Sequence, residues 1–267
     1  YVGDKLDYTA HIPKVDSRWE IKDFIDFIKN PKSTVEMQNG QTIHFYPTNK
    51  IRIPVDKNNI IKNKVVAAKY NDSIVSYIDI DIKGNALYKN RLMMLDLIAN
   101  NNWKRPVYFS PGAFEDEDYL WMKNYLQLEG MIYKLVPIKT KVDKDTNPMD
   151  MGGLDADKMY SIVMKWDWGN SRGDIYHDPE TRKNSISYRS VLSRLMDKLI
   201  AEGKLDKAKK VIELSLTEMP VEKFGYYSMV EPFARGYYEV GEKEKAQQLL
   251  EKLIGKYKEN LNYYGTL

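Results

Sequence analysis

Apolar residues first recur at helical spacing between residues 19 and 28, where Trp19, Phe24 (or Ile25), Phe27 and Ile28 share one face. Ser17 reads as the cap of this helix, and Asn30-Pro31 stops it. The period then drops to two. Thr34–Met37 and Thr42–Tyr46 flank Gln38-Asn39-Gly40-Gln41, and Asn-Gly between alternating runs predicts a hairpin because both residues accept positive φ. Ile51–Val55 alternates like an edge strand, with Pro54 lacking a ladder donor. Tyr77–Ile82 alternates strictly, the pattern of a strand with one wet face. A helix over 90–101 (Leu92, Leu95, Ile98), a short strand at 106–110, a helix over 117–128 and a strand at 131–136 follow. Strand and helix alternating in this way predict an α/β unit containing parallel pairs.

The pattern changes character after residue 150. Polar positions with Pro148 and Gly152-Gly153 read as a linker, and from Ser185 the period settles at 3.6. Two helix pairs are expected, each turning at a glycine: Gly203 between faces built on Leu192, Leu195 and Leu199 and on Ala208, Val211 and Ile212, and Gly241 between Phe233 and Tyr237 and Ala246, Leu249 and Leu253. Segments 201–208 and 239–246 align at an offset of 38 residues, each with a small Ala five positions after the glycine. This arrangement resembles a tetratricopeptide repeat. The fold class is therefore a mixed sheet with flanking helices followed by an all-α part. The expected boundaries are an α/β domain over 1–150, an irregular segment over 151–184 and tetratricopeptide-like hairpins over 185–267.

Composition removes whole classes of chemistry. None of the 267 residues is cysteine, which excludes disulfides, thiolate metal sites and a Cys nucleophile. Three histidines leave no H-E-x-x-H cluster, and no cofactor is expected. Lys and Arg number 41 against 38 Asp and Glu, a net charge of +3 that gives no long-range field for nucleic acid. No apolar run approaches the ~20 residues of a membrane helix. Tyrosine is abundant, with 20 residues.

Asp79-x-Asp81 offers paired carboxylates for a divalent metal, as in D-x-D transferases, but the alternation equally places both on the wet face of a strand. The acidic run Glu115-Asp116-Glu117-Asp118 suits a helix start as well as a cation. Ser110-Pro111-Gly112 follows a strand as anion-binding turns do, but it lacks a phosphate-loop pattern. Trp166-Asp167-Trp168-Gly169-Asn170 sets aromatic faces beside a carboxylate and an amide. That combination suits a sugar, whose CH groups stack on rings while its hydroxyls bond polar groups; the same rings could fill a core seam.

Asn100-Asn101-Asn102-Trp103-Lys104-Arg105-Pro106-Val107-Tyr108-Phe109 is the most specific string in the chain. Together with Leu92–Ile98, Asn124–Gly130, Leu135–Lys139 and Ala201–Lys204, it resembles the C-terminal soluble region of the DUF2723 family, Bacteroidetes membrane proteins similar to protein O-mannosyltransferases. The resemblance implies a multi-span glycosyltransferase using lipid-linked sugar, with its catalytic acids in membrane loops, so no catalytic residue is assigned here. It implies that this sequence, beginning at Tyr1, is an extracytoplasmic piece on the periplasmic side of the inner membrane. Its partners would be its own N-terminal transmembrane region and an acceptor protein or glycan. Asp72-Ser73-Ile74 matches the short O-glycosylation pattern of such bacteria. Within the string, Asn101 and Asn102 are expected to end a helix in left-handed geometry and Trp103 to plug a helix–sheet seam. Arg105 could serve as a structural ion pair or as a ligand contact. The expected function is a non-catalytic accessory domain; a self-standing carbohydrate enzyme using Asp79 and Asp81, or a helical-repeat scaffold, are the alternatives.

Overall fold

The computed structural model describes residues 6–110, 117–141 and 151–265. The turn at Pro111-Gly112 and the first half of the 115–118 acidic run lie outside them. The chain divides into two compact units: Tyr1–Gln127, Tyr133–Thr146 and Met151–Gly153 form one, and Leu128–Ile132, Asn147–Asp150 and Leu154–Leu267 the other.

The first unit contains β1 (Tyr8–His11), β2 (Trp19–Glu20), α1 (Ile21–Lys29), β3 (Thr34–Glu36), β4 (Thr42–Tyr46), β5 (Lys50–Pro54) and α2 (Lys57–Lys62). It continues with β6 (Tyr77–Asp81), β7 (Ala86–Tyr88), α3 (Lys89–Asn101) and β8 (Tyr108–Phe109), and the division passes through the hairpin of β9 (Leu126–Glu129) and β10 (Ile132–Leu135). These strands form three small sheets, ordered β3-β4-β1-β7, β2-β5-β6 and β8-β10-β9.

The Asn39-Gly40 hairpin forms as the alternation predicts, pairing Thr34 with His44 and Glu36 with Thr42, and Gly40 has φ +77°. Ile78, Ile80 and Ile82 are buried while Asp79 and Asp81 face outward. Four expectations need correction. β5 is a central strand, with β2 parallel on one side and β6 antiparallel on the other; Pro54 is tolerated because it lies past the end of β2. Pairing of Trp19 and Glu20 with β5 delays α1 to Ile21, so Ser17 does not cap it and instead accepts from Trp19 Nε1 at 3.2 Å. The stretch expected as a helix to Leu128 is a 3-10 segment (Glu117–Tyr125) followed by β9. All four β9 residues are buried, which a one-faced helix does not achieve. The strands expected to alternate within one parallel unit, β6, β8 and β10, belong to two different sheets, and β8 pairs antiparallel with β10. Parallel pairing joins β1 to β4 and β2 to β5.

The second unit is helical: α4 (Ala156–Val163), α5 (Pro179–Ala201), α6 (Leu205–Glu218), α7 (Val221–Phe224), α8 (Glu231–Glu239) and α9 (Lys243–Gly265). The stretch expected to be irregular, 151–184, thus holds α4 and the first turn of α5. Asp155 caps α4 by accepting from Asp157 N and Lys158 N, both at 3.1 Å. Asp178 caps α5, with Pro179 at the first helical position. Both expected glycine turns are present and alike. Gly203 (φ +71°) and Gly241 (φ +86°) close α5 and α8, and the next residue's N–H returns to Leu199 O and Tyr237 O at 2.9 and 2.8 Å. Ala208 and Ala246 are fully buried, the small side chains letting α5 pack on α6 and α8 on α9. Lys204 and Lys207 bind Asp157 at 2.6 and 2.8 Å and hold its carboxyl well below the usual range.

Candidate functional site

The Asn100–Phe109 string builds a groove in the first unit. α3 buries Leu92, Leu95, Asp96 and Ile98, and then ends on two successive left-handed residues, Asn102 (φ 43°) and Trp103 (φ 57°). Asparagine tolerates that geometry; for tryptophan it costs about 1–2 kcal/mol. The strain is offset by a set of hydrogen bonds. Trp103 Nε1 donates to Pro54 O at 2.8 Å, while Asn59 and Asn63 donate to Asn102 O and Trp103 O at 2.9 and 3.1 Å. The indole is buried, as expected of a seam residue. Trp103→Phe is expected to lower stability by about 1–2 kcal/mol, through loss of the Pro54 bond and slackening of the turn, read by urea denaturation.

Asn101 then brackets Arg105. Its amide donates to Arg105 O at 2.8 Å, and its Oδ1 accepts from Arg105 N at 3.1 Å. Arg105 is thereby fixed through its backbone, and its exposed side chain makes no ion pair among the described residues, the same being true of Lys104. An apolar cavity of ≈ 140 Å³ lies behind the turn, lined by Ile53, Val65, Ile98, Trp103 and Leu135. Arg105 lines it too and also edges an open groove of ≈ 620 Å³ with Lys29, Asp96, Asn100, Lys104 and Pro106. Asp96 is buried, and its carboxylate accepts from Lys29 Nζ and Asn100 Nδ2, both at 2.7 Å. The sequence pattern singled out Arg105 but not Lys29 or Asp96. They lie 67 positions apart on different helices, and the one available signal was an acidic residue on the apolar face of α3.

Asp79 and Asp81 belong to an ion-pair ladder. Arg52 grips Asp79 with both forks at 2.7 and 2.8 Å, and Arg18 reaches Asp81 at 2.7 Å and the carbonyls of Ile51 and Ile80. The D-x-D carboxylates are thus ion-paired, with both Asp79 oxygens engaged by the Arg52 guanidinium. The Arg52 hydrogen bonds hold the Asp79 carboxyl below its usual range, and the Arg18 charge adds to this against the opposing effect of burial. A depressed folded-state pKa contributes stability above the ordinary carboxylate value, and that contribution is lost as pH falls through the folded value. Stability is therefore expected to decline on acidification below pH ~4, and Asp79→Asn flattens this limb of a Tm-against-pH curve. Mg²⁺ or Mn²⁺ is expected to leave Tm unchanged.

In the second unit, Trp166, Trp168 and Tyr188 form a three-ring cluster with centroids 5.4–5.6 Å apart, Trp166 meeting both partners edge to face. Asp167 turns back to accept from Gly169 N at 2.8 Å, and the Asn170 side chain folds against Gly173. The rings face each other, and Asp167 serves its own loop. The residues that pointed to a sugar are thus brought together as a small half-buried core, with Trp168 Nε1 lacking a partner among the described residues. Arg105 lies in the other unit.

Among the described residues no helix is long and apolar enough to cross a membrane. Residues 1–158 match the family described as TMEM260-associated domain 2. No curated protein and no solved structure matches the chain.

Proposed function

We propose, for a chain that belongs to the TMEM260-associated domain 2 family, that it is a non-catalytic extracytoplasmic accessory domain of a membrane glycosyltransferase, on the periplasmic side of the inner membrane. Its role is to position an acceptor protein or glycan for an active site in the transmembrane region of the same protein. This region is of the type found in the DUF2723 glycosyltransferases. The family description, which refers to a transmembrane protein, supports the membrane context. The observation that carries the reading is the groove of the Asn100–Phe109 string. Its indole and amides hold backbone, its one buried carboxylate is paired with Lys29 and hydrogen-bonded by Asn100, and what it offers to solvent is Lys104 and Arg105. Such a surface suits binding and orienting; among the described residues that line it there is no free acid and base to exchange a proton with a glycosidic oxygen.

The test is turnover by the purified chain, given nucleotide-linked and lipid-linked sugars, acceptors and divalent metal. No product is expected. Product formation abolished by the Asp79→Ala/Asp81→Ala double substitution would replace this reading with a self-standing enzyme.

A further inference from the structure

We propose that the groove at the C-terminal end of α3 is a binding site for a phosphoryl group, held by Arg105 and Lys104 with Lys29 behind them. This goes beyond the accessory-domain role and does not depend on it. Among the described residues three cations edge one groove with a single carboxylate, Asp96, which is buried and accepts from Lys29 and Asn100 through Oδ1. Lys29 uses one of its three ammonium donors on Asp96 and has no second partner among the described residues. Lys104 and Arg105 have none among the described residues. Among the described residues, Asp26 pairs with Lys22, and Asp56 caps α2.

The arrangement is also rigid where rigidity matters for a ligand. Asn101 clamps the Arg105 backbone from both sides, and the Trp103 bonds anchor the turn, so the guanidinium is presented from a fixed base with less entropy to lose on binding. Convergent charges favour a group with about two negative charges over a carboxylate with one, and a planar guanidinium matches phosphoryl oxygens bidentately. Leu97, about half exposed at 47%, and Pro106 and Val107 give the groove an apolar wall beside the cations. The overall charge of +3 provides little long-range attraction, so affinity must come from these local contacts. The phosphoryl group could belong to a lipid headgroup or to a soluble phosphate.

The experiment is titration of the intact chain with inorganic diphosphate by calorimetry, alongside flotation with phosphatidylcholine vesicles with and without phosphatidylglycerol. Saturable binding of diphosphate, or selective flotation with phosphatidylglycerol vesicles, is expected and names the source. Arg105→Gln is expected to weaken binding about tenfold, and Lys104→Gln/Arg105→Gln to abolish it, with Arg105→Lys intermediate because it keeps the charge without the fork. These side chains are exposed, so unchanged Tm is expected in all three. Lys165→Gln, on the other unit, is expected to bind like the parent sequence. Failure in both arms, equal binding of acetate at matched ionic strength, or undiminished binding by the double variant would overturn the proposal.

Discussion

Gly152→Ala is expected to destabilise the first unit by about 3 kcal/mol, summing a left-handed backbone cost and a steric clash. Gly152 sits at φ +79°, and a Cβ there would lie 2.7 Å from Leu126 O and 3.2 Å from its carbonyl carbon. Both are backbone atoms of β9 and cannot rotate away. The next residue fixes the approach: Gly153 N donates to the same Leu126 O at 2.7 Å and bridges in parallel to Gln127. Gly84→Ala is the matching control. Its φ is +91°, but its Cβ would meet nothing within 4 Å, so only the backbone cost of about 1–2 kcal/mol is expected. Thermal unfolding separates the two, and equal losses would show that the β9 contact contributes nothing.

Arg189→Met is expected to cost the helical unit about 3 kcal/mol, because it removes the guanidinium that bonds the carbonyls of Met219 and Gly225. Arg189 on α5 is fully buried, and its guanidinium donates to Gly225 O at 2.6 Å, Met219 O at 2.8 Å and Tyr226 O at 3.4 Å. Met219 follows α6, and Gly225 and Tyr226 follow the short α7, where both have positive φ (68° and 52°). Burial pushes the Arg189 pKa down to about 10, so the group is still charged at neutral pH and the carbonyl dipoles are its counter-charge. Arg189→Lys keeps the charge but cannot span three acceptors, and about 2 kcal/mol of loss is expected from urea denaturation. Restoration of full stability by lysine would mean that charge alone matters there.

What the sequence revealed was local. Asn39-Gly40 specified a hairpin, Tyr77–Ile82 showed its two faces by alternation, and Gly203 and Gly241 marked helix ends with Ala208 and Ala246 beneath them. What it concealed depends on distant partners. β5 is central because β2 arrives beside it, and Gly152-Gly153 reads as linker chemistry although it packs on β9. Arg189 looks like one more polar residue, yet it occupies the same buried face as Ser185, Leu192 and Met196. The site divides in the same way. Arg105 was identifiable from a specific string, whereas its surroundings require α1 and α3 to bring Lys29 to Asp96. The Trp166–Trp168 segment gave an aromatic signal, but its rings meet each other and Tyr188.

The central claim is that this chain serves a membrane glycosyltransferase by positioning its acceptor through the groove beside α3. The most direct measurement is acceptor glycosylation by membranes carrying the full-length parent protein, compared with the same protein bearing Lys104→Gln/Arg105→Gln. Reduced transfer to the acceptor with unchanged protein level and unchanged hydrolysis of the sugar donor is the predicted result. Transfer at the parental rate by the double variant would contradict the account.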